Sequence, residues 1–259
     1  MDNNILGADF LNELFDLNNS IVLLKKKLDT LASICPIKSK SNLKVEFGYI
    51  VEEFLGLSKN DLSIADYEGI EIKCRKHSSP YPLKLFTCVV DGNGFFLTNE
   101  IFKKHSKTVI EKKKRSFNYS FYASRHTRIN KNAYGYLTVD YINKRILLTI
   151  CSYYSLNNDT YYWDFKEIYE RVKNKLYLLS IIEYNTEYIN RNKYYNVDNY
   201  QIYKIRGFLE FLKLIETGII HVTFSMDSII DDQGVEHIHN HGIGFYIKYD
   251  NLHDLFVII

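Results

Sequence analysis

Apolar residues recur at helical spacing over residues 5–34, where Leu11, Leu14 and Phe15 are followed by Val22, Leu23, Leu24, Leu28 and Leu31. Intervals of three and four residues place such side chains on one helical face. The pattern predicts two amphipathic helices joined near Asn18-Asn19-Ser20 and ended by Cys35-Pro36, since proline cannot continue the helical hydrogen bonds. A polar connection runs from Lys38 to Asn42. Phe47, Ile50, Val51 and Phe54 then mark another helix, with Gly56 as its C-terminal cap.

The period next becomes strand-like. In Asp66-Tyr67-Glu68-Gly69-Ile70-Glu71-Ile72-Lys73-Cys74-Arg75, apolar and charged residues alternate after a glycine. On a strand, Ile70, Ile72 and Cys74 face a core while Glu71, Lys73 and Arg75 share the opposite face. Leu83 to Val90 reads as the next strand, entering a turn at Asp91-Gly92-Asn93-Gly94. A β-hairpin is expected from Tyr136–Ile142 and Arg145–Ser152 through Asn143-Lys144. Phe165, Ile168, Tyr169, Val172 and Leu176 predict a helix, followed by a buried strand from Leu176 to Ile182. Tyr194–Tyr203, Ile219–Phe224, Ile243–Ile247 and Leu255–Ile259 read as strands, and Phe208–Ile215 as a helix stopping at Gly218. The fold class is α/β in the mixed α+β sense, without internal repeats or a linker that forces separate domains.

Composition narrows this picture in three ways. A formal net charge of +2 over 259 residues does not mark a nucleic-acid binder overall, so any such surface is local. One candidate is the stretch 99–133, where lysines and arginines, among them Lys113, Arg125 and Arg128, interleave with Phe117, Tyr119, Phe121 and Tyr122. That is either a solvated face or a set of phosphate contacts. Second, Cys35, Cys74, Cys88 and Cys151 are far apart and form no Cys-x-x-Cys pair, which argues against a cysteine-built zinc cluster. Third, Met1-Asp2-Asn3-Asn4 lacks the basic start and apolar run of a signal peptide. No apolar stretch approaches the ~20 residues that span a bilayer. The expectation is a cytoplasmic protein with no membrane partner.

The strand at Glu71 carries the candidate chemistry. Asp66, turning back at Gly69, can close on Glu71 and Lys73. Two carboxylates and the backbone carbonyl of Ile72 offer the hard oxygen donors that Mg²⁺ prefers. Lys73 can stabilise a phosphoryl charge or hold a water, which is the chemistry of phosphodiester hydrolysis. Glu52 or Glu53 can reach the same place from the preceding helix, and helical phase alone does not choose between them. The other reading is a plain Glu71–Lys73 ion pair on a strand face. Glu-x-Lys recurs at Glu111-Lys112-Lys113, inside a charge run suited to solvent.

Gly48-Tyr49-Ile50-Val51-Glu52-Glu53-Phe54-Leu55 together with Ala65-Asp66-Tyr67-Glu68-Gly69-Ile70-Glu71-Ile72-Lys73 resembles the active-site block of the MvaI/BcnI restriction endonucleases. These are relatives of the nickase MutH within the PD-(D/E)xK nucleases. Ala65 stands where that pattern is named for a proline. Leu83-Lys84-Leu85-Phe86-Thr87, Tyr162-Trp163-Asp164-Phe165, Lys175-Leu176-Tyr177, Lys193-Tyr194-Tyr195 and His239-Asn240-His241-Gly242 continue the likeness in order over about residues 45–259.

The resemblance implies a restriction-endonuclease-like core sheet flanked by helices, with a second, DNA-recognition lobe. Residues 1–259 then form one unit, with helices and catalytic strands in 1–98 and a basic, sequence-recognising part in 99–259. It implies Mg²⁺-dependent cleavage of double-stranded DNA at a short sequence by a monomer, with a DNA methyltransferase as genetic partner. Carried over by position, Glu52, Asp66, Glu71 and Lys73 are the catalytic set, and the spacing from Gly48 favours Glu52 over Glu53. A MutH-like nickase and a non-catalytic DNA-binding protein are the rival readings.

His237-Ile238-His239-Asn240-His241-Gly242 places three imidazoles on one side of an extended segment. This is a zinc site, a solvated loop or, as the resemblance implies, a part that reads base edges. His239 and His241 are the leading base contacts and His77 a further one. The related pattern has an arginine four residues after the glycine, where this sequence has Tyr246.

Overall fold

The computed structural model describes residues 3–40, 46–57, 65–90, 94–109, 114–154 and 158–259. The chain begins with α1 (Asn3–Ser33), β1 (Ile37–Lys38), α2 (Glu46–Leu55), β2 (Ile70–Lys76) and β3 (Leu83–Thr87). Next come α3 (Gly94–His105), β4 (Lys107–Val109), β5 (Lys114–Phe121), β6 (Thr127–Arg128), β7 (Ala133–Asp140), β8 (Arg145–Ser152) and β9 (Asn158–Asp164). The chain continues through α4 (Phe165–Leu176), β10 (Leu178–Ile189), β11 (Asn192–Ile205), α5 (Phe208–Glu216), β12 (Ile220–Ile230) and β13 (Glu236–Ile247). A short 3-10 turn leads to α6 (Leu252–Leu255) and β14 (Phe256–Ile258).

These elements fall into two compact units, each discontinuous in sequence. The first comprises Met1–Pro80, Lys173–Ile205 and Phe256–Ile259, and the second Tyr81–Val172 and Arg206–Leu255.

In the first unit the strand order is β1-β11-β10-β2, with β14 also on β11. Only β10 and β2 run parallel, in the register Leu179↔Glu71 and Ile181↔Lys73. Helices α1 and α2 cover one face through Leu24, Leu28, Leu31, Phe47, Val51 and Leu55, which pack on Ile70, Leu178, Ile182 and Ile202. Ile72 and Cys74 join the same core, so β2 has the expected inward and outward faces. The two helices expected over 5–34 are one, α1. Asn18, Asn19 and Ser20 are weak helix formers, but none lacks an amide or forces φ. Their cost of a few tenths of a kcal/mol each is outweighed by the Leu24–Leu28–Leu31 stripe.

The second unit contains two antiparallel sheets, β3-β13-β12-β5-β4 and β6-β7-β8-β9. Their core is aromatic. Phe224 meets Phe117 and Phe121 edge-on at 5.7 Å each, and Trp163 meets Phe245 at 5.6 Å. The Trp163 indole N–H donates to the Cys88 carbonyl at 3.1 Å, so its polar atom is satisfied inside the core. A Cβ on Gly135 of β7 would lie 2.6 Å from the Phe121 ring, so glycine is what lets this ring pack there. The basic stretch after residue 94 contains α3, which the sequence pattern did not reveal. The expected hairpin is present as β7–β8, closed by a turn in which Lys144 takes φ 55°.

Candidate active site

The turn before β2 sets the geometry. Glu68 and Gly69 both have positive φ, 44° and 85°, and Tyr67 and Ile70 exchange backbone hydrogen bonds of 2.9 and 2.7 Å. Positive φ at both central positions is the mark of a tight hairpin turn that reverses the chain with the twist of a strand pair. Asp66 is thereby folded back beside β2, and its Oδ2 accepts the Ile72 N–H at 3.1 Å. An amide and carbonyl of one strand residue point to the same side. The Ile72 carbonyl therefore also leaves the open edge of β2, away from β10 and toward the Asp66 side.

Glu71 stands on the outward face of β2 and is only 4 % exposed. Its Oε1 lies 2.9 Å from Lys73 Nζ and its Oε2 3.4 Å from Lys175 Nζ. A carboxylate this buried requires paired charge, and two ammonium groups supply it. Lys175 comes from the last turn of α4, where a cation is also favoured by the helix dipole. Lys175 lies in a stretch that carries the family likeness, but no local pattern gives it a role in the site, because it reaches Glu71 only through the parallel pairing of β2 with β10.

Helix α2 carries the two further candidate carboxylates, Glu52 and Glu53. It ends with Gly56 at φ 77°, the Leu57 amide donating to the Glu52 carbonyl (2.8 Å) and the Gly56 amide to that of Glu53 (3.1 Å). This double bond pattern locks the final turn. Both glutamates therefore sit where the helix dipole disfavours negative charge, a local cost that suggests a role beyond folding. Glu52 is half-buried and Glu53 exposed. The Cys74 thiol is pushed up to about 12 by burial first, then by Glu52, against the pull of Lys73 and with a further push from Asp66. Glu52, Asp66 and Lys73 all lie near enough to Cys74 to act on its thiol.

The oxygens of Asp66 and Glu71 and the Ile72 carbonyl form a hard donor set that fits a divalent cation of the Mg²⁺ kind, which keeps several of its waters. No group of three or more His, Cys, Asp or Glu able to hold a metal occurs among the described residues. That leaves the histidine run without support as a zinc centre. His237 Nε2 pairs with Asp231 Oδ2 at 2.7 Å, whereas His241 Nε2 pairs with Asp227 Oδ1 at 3.3 Å.

The remaining expected contacts divide by unit. His77 lies in the first, just past β2, with its Nδ1 3.8 Å from Glu183 and 3.9 Å from Asp198. Two carboxylates beside it oppose the approach of DNA that the expected base contact requires. His239 and His241 lie on β13 in the second unit, His239 directly opposite Asp227 of β12. Arg125 stacks on the Tyr122 ring at 3.9 Å, and Tyr122 on His221 at 4.8 Å. His221 stacks in turn on Tyr246 at 5.8 Å. Burial first, then Arg125 and Lys248, lowers the His221 imidazole to about 4, so it is neutral. Arg128 is exposed, its Nε donating to the Asn130 carbonyl. Lys113 lies outside the described residues.

A family model described as the MvaI/BcnI restriction endonuclease family matches residues 25–256. Among solved structures, the complex of restriction endonuclease MvaI with cognate DNA is similar at 19% identity and a TM-score of 0.80. The match covers 92% of this chain and 96% of that one. MvaI in the absence of DNA is similar at 17% identity and a TM-score of 0.57, covering 93% and 96%. No curated protein matches the sequence.

Proposed function

The chain belongs to the MvaI/BcnI restriction endonuclease family, and from that premise we propose that Asp66, Glu71 and Lys73, with Glu52, carry Mg²⁺-dependent hydrolysis of double-stranded DNA at a short sequence. The enzyme is a site-specific DNA endonuclease. No helix among its described residues is long and apolar enough to cross a membrane. The observation that carries the site assignment is the buried Glu71 carboxylate flanked by Lys73 and Lys175, with Asp66 fixed on the adjacent Ile72 amide.

Asp66, Glu71 and the Ile72 carbonyl would hold Mg²⁺, which when bound supplies Lewis-acid polarisation of a phosphoryl oxygen. Lys73 and Lys175 are fixed cations in a partly dry site, placed to stabilise charge that develops on the phosphate. Lys73 is also the group best placed to orient the attacking water. Glu52, held by the locked end of α2, orients that water or a cation ligand from the helix side. His239, His241, Arg125 and Arg128 supply base and phosphate contacts from the second unit, with Lys113 as a further candidate and His77 as one from the first unit. The whole chain, residues 1–259, works as one cytoplasmic nuclease unit, a monomer that attacks the two strands in turn. A cognate methyltransferase protects the host sites.

Digestion of supercoiled plasmid and of phage DNA with Mg²⁺ tests this. Linear plasmid and discrete phage fragments are expected. Accumulation of open circles alone would indicate a nickase, a smear an unspecific nuclease, and intact supercoils with retained binding a non-catalytic DNA-binding protein.

A further inference from the structure

Strands β12 and β13 do not pair evenly. Phe224 faces Ile243 and Met226 faces Asn240, so Ser225 opposes both His241 and Gly242 in a bulge. An extra residue of this kind changes which side chains share a face. Here it keeps His239, His241, Gly244 and Tyr246 together on the polar side of the sheet, with Thr223, Ser225 and Asp227 of β12. His241 is turned inward along that face, its Nε2 3.3 Å from Asp227 Oδ1. The other oxygen, Oδ2, is taken by Lys114 Nζ of β5 at 2.7 Å.

A carboxylate accepts and does not donate, so the contact at His241 Nε2 places the proton on that nitrogen. In the neutral ring the exposed Nδ1 then carries a lone pair and accepts a hydrogen bond. In the major groove, adenine N6 and cytosine N4 are amine donors, whereas the edges of guanine and thymine offer acceptors only.

We propose that Asp227, held by Lys114, is a specificity-positioning residue that fixes His241 as a hydrogen-bond acceptor, so that His241 reads the exocyclic amine of an adenine or cytosine. This rests on the reading of the protein as a DNA endonuclease with His241 on its base-reading face. The polarity of the contact comes from the Asp227–Lys114 pair and not from the histidine alone. A histidine without that pair would be free to present either a donor or an acceptor.

The test uses the full-length enzyme and duplexes bearing its mapped cleavage sequence. Each adenine is replaced in turn by purine, which lacks the 6-amino group, and each cytosine by 2-pyrimidinone, which lacks the 4-amino group. One such deletion should slow wild-type cleavage by about tenfold or more, as expected for losing one base-edge contact. The same deletion should change cleavage by Asp227→Ala and by His241→Ala less than about twofold, because the contact is already gone. Asp227→Asn, which keeps the side-chain volume, should also lose part of this sensitivity and serves if Asp227→Ala does not fold. Retention of full sensitivity in every Asp227 variant overturns the proposal. So does coupling only to a guanine or thymine position probed by removal of its keto oxygen. A wild-type enzyme that cuts no duplex at discrete sites overturns the nuclease reading as well, which separates the two failures.

Discussion

Each unit contains a carboxylate held between two basic side chains, and the two arrangements differ mainly in burial. In the first unit Glu71 has a side chain 6% exposed and is met by two lysines, Lys73 and Lys175. In the second, Asp227 is 22% exposed and is met by Lys114 and the imidazole of His241. Burial makes Glu71 a high-stakes charge, since removing either partner leaves a carboxylate with little water to replace it. Asp227 can be solvated, so its partners matter for direction and hydrogen-bond polarity more than for stability. Under the proposed function, the same side-chain chemistry would serve reaction at a dry edge and recognition on an open face.

The largest effect expected from breaking this comparison is at Asp66. Asp66→Ala removes both a cation ligand and the bond to the Ile72 amide. It should lower the cleavage rate about a thousandfold or more, equivalent to about 4 kcal/mol of barrier, while duplex binding without Mg²⁺ changes less than about threefold. Gel-shift titration beside single-turnover cleavage measures both. Comparable losses in the two would show that Asp66 serves folding or binding.

Lys175 comes next, and it tests the part of the site that the sequence did not disclose. Lys175→Ala leaves Lys73 on Glu71 and should reduce cleavage about 100-fold, the lower end of the range for losing one electrostatic donor. Lys175→Arg should recover much of that loss, because it restores the charge at the Glu71 oxygen. Urea denaturation should show a destabilisation of about 1–3 kcal/mol in Lys175→Ala alone, the cost of a half-compensated buried carboxylate. Full activity in Lys175→Ala would confine it to a structural pair.

The contrast between Glu71 and Lys175 also shows which parts of the molecule were legible in the sequence. Asp66, Glu71 and Lys73 share one turn and one strand, so period-two alternation and a glycine were enough to bring them together. Lys175 is 104 positions from Glu71 and meets it only because β10 pairs with β2 in parallel, which no local pattern encodes. The distal halves of β12 and β13 were likewise missed. Ser228 is buried there although polar, and Ile229, Ile230 and His237 are exposed, so apolar character and burial do not run together along that stretch. The join proposed within α1 failed for the opposite reason, since a run of weak helix formers carries less weight than a continuous packed stripe.

Smaller than the lysine effect is the choice between the two helix glutamates. Glu52→Gln should lower cleavage about tenfold, less than the roughly 100-fold or more that losing a general acid or base costs, because Glu52 is placed to orient a group and not to carry the proton. Glu53→Gln, on the exposed side of α2, should stay within about twofold. Both substitutions remove a negative charge from the helix C-terminus, so the helix-dipole contribution changes alike in the two. A difference in rate between them therefore reports the site and not the helix. Equal rates would remove Glu52 from the catalytic set.

The smallest effect sharpens the comparison from the second unit, through acid sensitivity. His221 is 5% exposed between the Tyr122 and Tyr246 rings, and burial, with Arg125 and Lys248, lowers it to about 4. In the unfolded chain an imidazole titrates near about 6.5. The folded value is the lower one, so the unfolded chain binds the extra proton first. Stability from this group is fully present above about pH 6.5 and is lost as pH falls through about 4. Between pH 7 and 4.5 the loss should be about 2 kcal/mol. His221→Phe keeps a planar ring in the stack and cannot titrate, so its stability should fall by that much less over the same interval in urea unfolding. His105 is also lowered by burial, but it is present in both proteins and cancels from the difference. Equal losses in wild type and His221→Phe would mean that the stack admits the charged imidazole, and that this face of the sheet is wetter than its burial implies.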